Sequence, residues 1–220
     1  MPQLPLFPLG TVLMPGAPLS LRVFETRYLT LLRDLIADPD DVRPFGVVAI
    51  RAGVEVGPDQ VRDLYEVGCT AVLDQLAPVD DQQYALVAVG ERRFSLDAID
   101  HTAGTPYLLG EVTWLDEPTG DPSVVDAHAT QVGRRLESYW AALGVTDLEL
   151  SDLDEDPQTL SYQVDQVMVL DVADRQQLLA APTTEARLAM ALRLLNRERE
   201  LVSRLGTVPH RPERGPASLN

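Results

Sequence analysis

Two halves with different hydrophobic periods predict an α+β chain, a mostly antiparallel β-barrel with one inserted helix followed by a helical bundle. Three observations carry this. Apolar residues alternate at period two through much of the first half, and recur at steps of three and four in the second. The change of period falls at a turn-like segment, Glu117-Pro118-Thr119-Gly120.

In the first half, Tyr65, Val67, Cys69, Ala71 and Leu73 alternate with Glu66, Gly68, Thr70 and Asp74, which predicts a strand with one face buried. Phe94, Leu96 and Ala98 alternate in the same way with Arg93, Ser95 and Asp97. Leu108, Val112 and Trp114 alternate with Glu111 and Thr113 after the turn Ala103-Gly104-Thr105-Pro106. Phe45 to Ile50 and Tyr84 to Val89 are continuous apolar runs, which predicts strands covered on both sides. Leu4 to Leu9 and Leu19 to Val23 add two more, and Pro5, Pro8, Pro15 and Pro18 push them toward edges and turns. Tyr28, Leu31, Leu32, Leu35 and Ile36 recur at helical spacing, with Pro39 just beyond, and mark the inserted helix. Short strands in this number, around one helix, predict a small barrel.

In the second half, Asp121-Pro122 reads as an N-cap with proline at the first helical position. Val125, Ala129, Val132, Leu136, Tyr139 and Leu143 then form one apolar stripe that stops at Gly144. Asp156-Pro157 repeats the start signal ahead of Leu160, Val164 and Val167. A short helix is expected over Asp174 to Ala180, and Thr183 caps a long one with the stripe Leu188, Leu192, Leu195, Val202 and Leu205, stopped by Gly206. Thr207 to Asn220 carries three prolines among few apolar residues and is expected to be a disordered tail. The expected division is residues 1–118 for the barrel lobe, 119–206 for the bundle lobe and 207–220 for the tail.

Composition removes several function classes. The 220 residues carry 18 basic and 34 acidic side chains, a formal charge of −16, and every basic residue is arginine. Without lysine the chain holds no P-loop of the usual kind, no Schiff-base site and no serine–lysine dyad. One cysteine and three histidines (Cys69; His101, His128 and His210) cannot build a cysteine-based zinc site. The negative charge disfavours nucleic acid and anionic membrane surfaces as partners. Met1-Pro2-Gln3-Leu4 lacks the basic start of a signal peptide, and no apolar run approaches the roughly 18 residues of a membrane span, so a cytoplasmic address is expected.

Several stretches together resemble the N-terminal substrate-binding domain of the Lon proteases. They are Leu4-Pro5-Leu6-Phe7-Pro8-Leu9-Gly10, Met14-Pro15-Gly16, the run Leu19 to Tyr28, Phe45-Gly46-Val47-Val48, Tyr65-Glu66-Val67-Gly68-Cys69 and Gly90-Glu91-Arg92-Arg93-Phe94. Gln176-Gln177-Leu178-Leu179 and Arg187-Leu188 match more loosely, so the resemblance spans roughly residues 4 to 206. It implies a PUA-like barrel joined to a helical bundle, and polypeptide as the ligand. Full-length Lon continues into an ATPase module and a serine–lysine peptidase; this chain stops after the bundle, and without lysine it is expected to contain neither. The resulting expectation is a stand-alone, non-catalytic protein-binding module with no cofactor and no metal.

Candidate residues follow from both readings. Glu25 and Arg27, with Phe24 and Tyr28 beneath, are expected to form a polar clamp between the first helix and the barrel, because a partly buried arginine must be paired. Arg93 and Phe94 of the glycine–x–x–arginine–phenylalanine stretch are likewise expected to be structural. Cys69 is expected inside as a small hydrophobe. Serine catalysis lacks a G-x-S-x-G elbow. The acidic run Asp147, Glu149, Asp152, Asp154, Glu155 and Asp156 lacks the glycine and closing glutamate of a calcium loop, and reads as a solvated connector. Polypeptide capture is expected in a groove between the lobes or along an exposed strand edge. Tyr107, Trp114, Tyr139 and Trp140 are its candidate contacts. The expected partners are unfolded segments or a specific protein, with a separate protease as one recipient. The competing reading is an RNA- or nucleotide-binding PUA-like module, which rests on Arg92-Arg93 beside Phe94.

Overall fold

The computed structural model describes residues 2–37, 43–53, 61–80, 82–145 and 148–205. Pro39, Asp147, Gly206, His210 and the expected tail fall outside these residues. The chain divides into two compact units, one holding Met1–Asp116 and the other beginning at Glu117. Among the described residues the first contains seven strands and one helix, and the second contains four helices, a mixed α+β composition.

In the first unit the order is β1 (Gln3–Leu9), β2 (Pro18–Val23), α1 (Thr26–Leu35), β3 (Phe45–Gly53), β4 (Val61–Leu64), β5 (Val67–Asp80), β6 (Gln83–Asp100) and β7 (Leu109–Trp114). The pairings are antiparallel except β1 with β3, which is parallel. They run β1–β7–β6–β5–β3 and return from β3 to β1, while β2 lies against β6 and β4 against β3.

β1 is therefore paired on both sides, which corrects the expectation of an edge strand. Its two ladders are staggered: Gln3–Pro5 pair with β7, and Leu6–Leu9 with β3. Leu6 donates its N–H to Leu108 O (2.8 Å), so by alternation the nitrogen of Pro8 points to that same side, beyond the end of the β7 ladder. A proline is tolerated where no ladder bond is required of it.

The two apolar stretches expected at residues 84–89 and 93–98 are one strand of 18 residues, β6. Tyr84–Val89 is not covered on both sides. Leu86 and Ala88 are buried while Val89 is exposed, because this half of β6 lies between β2 and β5 with its other face open. Further along, Phe94 is fully buried, yet Arg93, expected to face outward, is only 1% exposed. The chain after β7 covers it: Leu115 donates its N–H to Arg93 O (3.1 Å), and Arg93 Nη2 donates to Asp116 O (3.1 Å). A register shift between Leu96 and Ala98 leaves Ala98 exposed instead of inside.

The core of this unit is built around Phe94, with Leu4, Leu6, Val48 and Val112 buried beside it and Trp114 packed at its margin. The ring sits on two glycines. A Cβ on Gly68 would meet Phe94 Cζ at 2.5 Å, and one on Gly46 would meet it at 2.9 Å. Gly90 is needed for a different reason, since a Cβ there would lie 2.1 Å from Met14 O. The Met14-Pro15-Gly16 turn is bound onto Gly90 on both sides, by Gly16 N to Gly90 O (2.8 Å) and Gly90 N to Ala17 O (3.0 Å). On α1, Tyr28 stacks on Phe7 with centroids 4.0 Å apart, and Phe7 tilts against Phe45.

The second unit contains α2 (Pro122–Leu143), α3 (Pro157–Val167), α4 (Val172–Ala180) and α5 (Thr184–Leu205), with a short 3-10 turn at Leu150–Asp152. Each start is capped by a side chain at the position ahead of it. Asp121 accepts from Ser123 N and Val124 N, Asp156 from Thr159 N, Asp171 from Asp174 N, and Thr183 Oγ1 from Ala186 N. Gly144 closes α2 at φ 68°, a conformation glycine adopts without a Cβ penalty. Val125, Val132, Leu136 and Tyr139 of the expected stripe are buried, as are Leu188, Leu195 and Val202 of α5. The acidic run is largely spent on local structure: Glu149 and Asp152 form a reciprocal capping box, Asp154 Oδ1 accepts from Asp156 N, and Asp156 caps α3.

A fully buried arginine ties the helices together. Arg187 of α5 donates to Leu178 O (3.1 Å), Ser161 Oγ (3.1 Å) and Ala181 O (3.3 Å), and its Nη2 lies 3.5 Å from Glu117 Oε2. Its guanidinium sits 3.9 Å above the Tyr162 ring, whose hydroxyl donates to the same Glu117 oxygen at 2.7 Å. Removing one partner of a buried, fully bonded charge typically costs about 3–5 kcal/mol. Arg187→Met is therefore expected to lose stability on that scale in urea denaturation followed by far-UV circular dichroism, and a loss below about 1 kcal/mol would contradict the assignment. Cys69, with no exposed surface, should react with a thiol reagent only after denaturation. Rapid labelling of the native protein would show that the strand breathes.

Candidate functional site

The four aromatic residues nominated as ligand contacts are divided between the units, Tyr107 and Trp114 in the first, Tyr139 and Trp140 in the second. Tyr139 is fully buried and its hydroxyl accepts from Val169 N at 3.3 Å. Trp140 is 4% exposed and its indole N–H donates to Val167 O at 3.3 Å. Both fill the core beneath α2, and burial removes them from any surface ligand. Tyr107 is also buried, and its hydroxyl donates to Asp34 Oδ2 at 2.7 Å, fastening the segment before β7 to α1. Burial first, and then that bond to a carboxylate, push its phenol up to about 12. Trp114 alone of the four is half-exposed, with the Arg92 guanidinium 5.0 Å above its ring.

The other nominated residues are held within the first unit. Glu25 and Arg27 pair with each other at 3.0 Å, and Arg27 also lies 4.5 Å over the Tyr28 ring. Phe24 is half-buried, and Tyr28, Arg93 and Phe94 are buried. Cys69 donates its thiol to Thr70 O at 3.4 Å. Among the described residues no group of three or more His, Cys, Asp or Glu side chains is arranged to hold a metal ion. Nor is any described helix long and apolar enough to cross a membrane.

A different surface carries unsatisfied apolar area. The first part of β6 (Tyr84–Val89) pairs with β2 on one side and with Val72–Pro78 of β5 on the other, giving a three-stranded sheet. Leu19, Leu21, Leu86 and Ala88 form its buried face. The register sets the opposite face in three cross-strand rows. Pro18, Val89 and Val72 come first, then Ser20, Val87 and Gln75, then Arg22, Ala85 and Ala77. Val72 and Val89 are 37% and 39% exposed, and Val79, at the other end of β5, 48%; these are three of the five large hydrophobic side chains exposed among the described residues. The third row ends in the exposed Arg22.

This sheet also has an open edge. β3 pairs with β5 only as far as Ala71, so among the described residues Val72–Asp80 bonds to β6 alone. The edge is interrupted by Pro78 and by register shifts between Leu73 and Gln75 and between Pro78 and Asp80. Such features limit continuous strand addition. The sequence carried little signal for this surface. Tyr84 to Val89 is apolar in both phases, so periodicity could not show that one phase is left in solvent.

Comparison with known proteins agrees with this description. The sequence model of the family described as "ATP-dependent protease La (LON) substrate-binding domain" matches residues 3–197. The Lon protease of Anaeromyxobacter dehalogenans (strain 2CP-C) is 28% identical over 208 residues, which cover 90% of this chain and 24% of that protein. Lon protease 2 of Myxococcus xanthus is 28% identical over 204 residues, with the same two coverages. The chain thus spans about a quarter of the length of the curated relatives it matches. Among solved structures, the Lon N-terminal domain protein from Xanthomonas campestris superposes with a TM-score of 0.57 at 27% identity, covering 88% of this chain and 98% of that one. The N-terminal domain of the Mycobacterium avium complex Lon protease gives 0.63 at 18% identity, covering 90% and 98%, a likeness of fold. The chain belongs to the family of the Lon substrate-binding domain.

Proposed function

We propose that this chain is a non-catalytic module that binds polypeptide, either unfolded segments or a specific protein partner, in the cytoplasm, with a separate protease as one recipient of what it holds. The observation that carries the reading is the match of a substrate-binding-domain model to residues 3–197. The closed circuit of strand pairings in the first unit supports a PUA-like barrel, and the capped helices of the second support a bundle. Exposed valines on an ordered sheet supply an apolar surface of the kind that marks protein interaction sites.

The RNA-binding alternative drew on Arg92, Arg93 and Phe94. Arg93 and Phe94 are buried, which leaves Arg92 as the one side chain of the three on a surface, in a chain of charge −16. Fluorescence anisotropy at near-physiological salt should therefore detect binding of apolar, unstructured peptides and none of single- or double-stranded RNA. Micromolar RNA binding with a steep salt dependence, and no peptide signal, would reverse the reading, since each phosphate contact releases counterions.

The same proposal predicts catalytic silence. With no lysine in the chain, purified protein should hydrolyse neither ATP nor casein above blank. Turnover that persists through a second affinity step, and is lost when the protein itself is removed by antibody, would contradict it.

A further inference from the structure

We infer that the outer face of β2, β6 and the distal part of β5 is a docking surface for unfolded polypeptide that is apolar and basic, and that it discriminates against segments equally apolar but acidic. This rests on the polypeptide-binding reading above and names the ligand class and the place. The row Pro18, Val89 and Val72, continued by Val87, Ala85 and Ala77, supplies the apolar surface, on a sheet whose opposite face is already packed. Burying such side chains under a partner removes apolar surface from water without reorganising the core.

The rim supplies the charge. Asp74 on β5 and Glu91 on β6 are exposed within two residues of Val72 and Val89, while the exposed cation Arg22 lies at the far end of the face, next to the row where Asp80 pairs with Gln83. Asp74 and Glu91 make no ion pair among the described residues. The excess of 34 acids over 18 arginines extends the same sign over the whole chain. Lysines or arginines between the apolar residues of a ligand complement this rim, and carboxylates there are repelled. A second copy of the chain fits poorly as occupant, because it brings a further −16 to the contact. Edge-to-edge strand pairing between copies is also opposed by Pro78 and the two register shifts of β5. The ligand therefore lies across the face, its side chains against the valine rows.

The test uses the full chain and three dye-labelled, unstructured peptides of one apolar frame, with lysine, serine or glutamate at the intervening positions. Exposed charge contacts are individually weak, and exchanging several lysines for glutamates is expected to sum to about tenfold in affinity at about 50 mM salt, shrinking to about twofold at about 500 mM. The double variant Val72→Ser, Val89→Ser should weaken all three peptides about fivefold or more at both salt levels, with an unchanged circular dichroism spectrum. Equal or tighter binding of the glutamate peptide by the wild-type chain overturns the charge selection without any variant being needed. Unchanged affinity in a folded double variant overturns the location. In either case peptide binding itself still stands. No binding of any of the three peptides takes the polypeptide-binding reading down as well, and a dimer that the double variant abolishes assigns the face to self-association instead.

Discussion

Two guanidinium groups with almost no access to water constrain this chain more than any other feature, and their partners are consecutive residues. Arg93, in the middle of the longest strand, donates to the carbonyl of Asp116, the last residue of the first unit. Arg187, in the first turn of the last helix, meets the carboxylate of Glu117, the first residue of the second. A buried guanidinium left without acceptors costs several kcal/mol, so each unit is obliged to bring its own end of the connection to its arginine. The segment after Glu117 is fixed in the same manner, for Thr184 and Glu185 donate their N–H groups to Pro118 O and Thr119 O. The open N-terminus of α5 is thereby satisfied by the connecting chain instead of by solvent.

This constraint explains which parts of the fold were legible. Helix boundaries in the second unit were readable because the signals are local: Asp121, Asp156 and Thr183 each bond a backbone N–H two or three residues away. Arg93 was misread because alternation describes one strand and its two faces, and takes no account of a later segment crossing the outward one. The same limit applies to β1, whose prolines suggested an edge until the stagger of its two ladders removed the demand on their nitrogens. The resemblance motifs were informative for a reason periodicity does not capture. Gly46, Gly68, Gly90 and Phe94, distant in sequence, are one packing arrangement in which a ring and a turn approach backbone more closely than any Cβ permits.

The site was less legible than the fold. Aromatic residues near the change of period were natural candidates, yet three of the four are buried, since large rings on a helix stripe or beside a strand repay burial before they repay exposure. The exposed valines left no pattern, because an apolar run gives the same reading whether both phases are covered or only one. What distinguishes them is the end of the β3 ladder at Ala71, a fact of pairing and not of composition. A protein that must hold extended, sequence-diverse ligands has reason to keep such a surface small, shallow and framed by charge, so that it stays soluble when empty.

The central claim is that polypeptide is held on this face of the first unit. Amide hydrogen exchange, with and without a saturating apolar and basic peptide, tests it most directly. The account predicts added protection in Pro18–Val23, Val72–Asp80 and Gln83–Val89, with the helices of the second unit unchanged. Protection confined to the second unit, or spread evenly over the chain with those three segments unaffected, would contradict it.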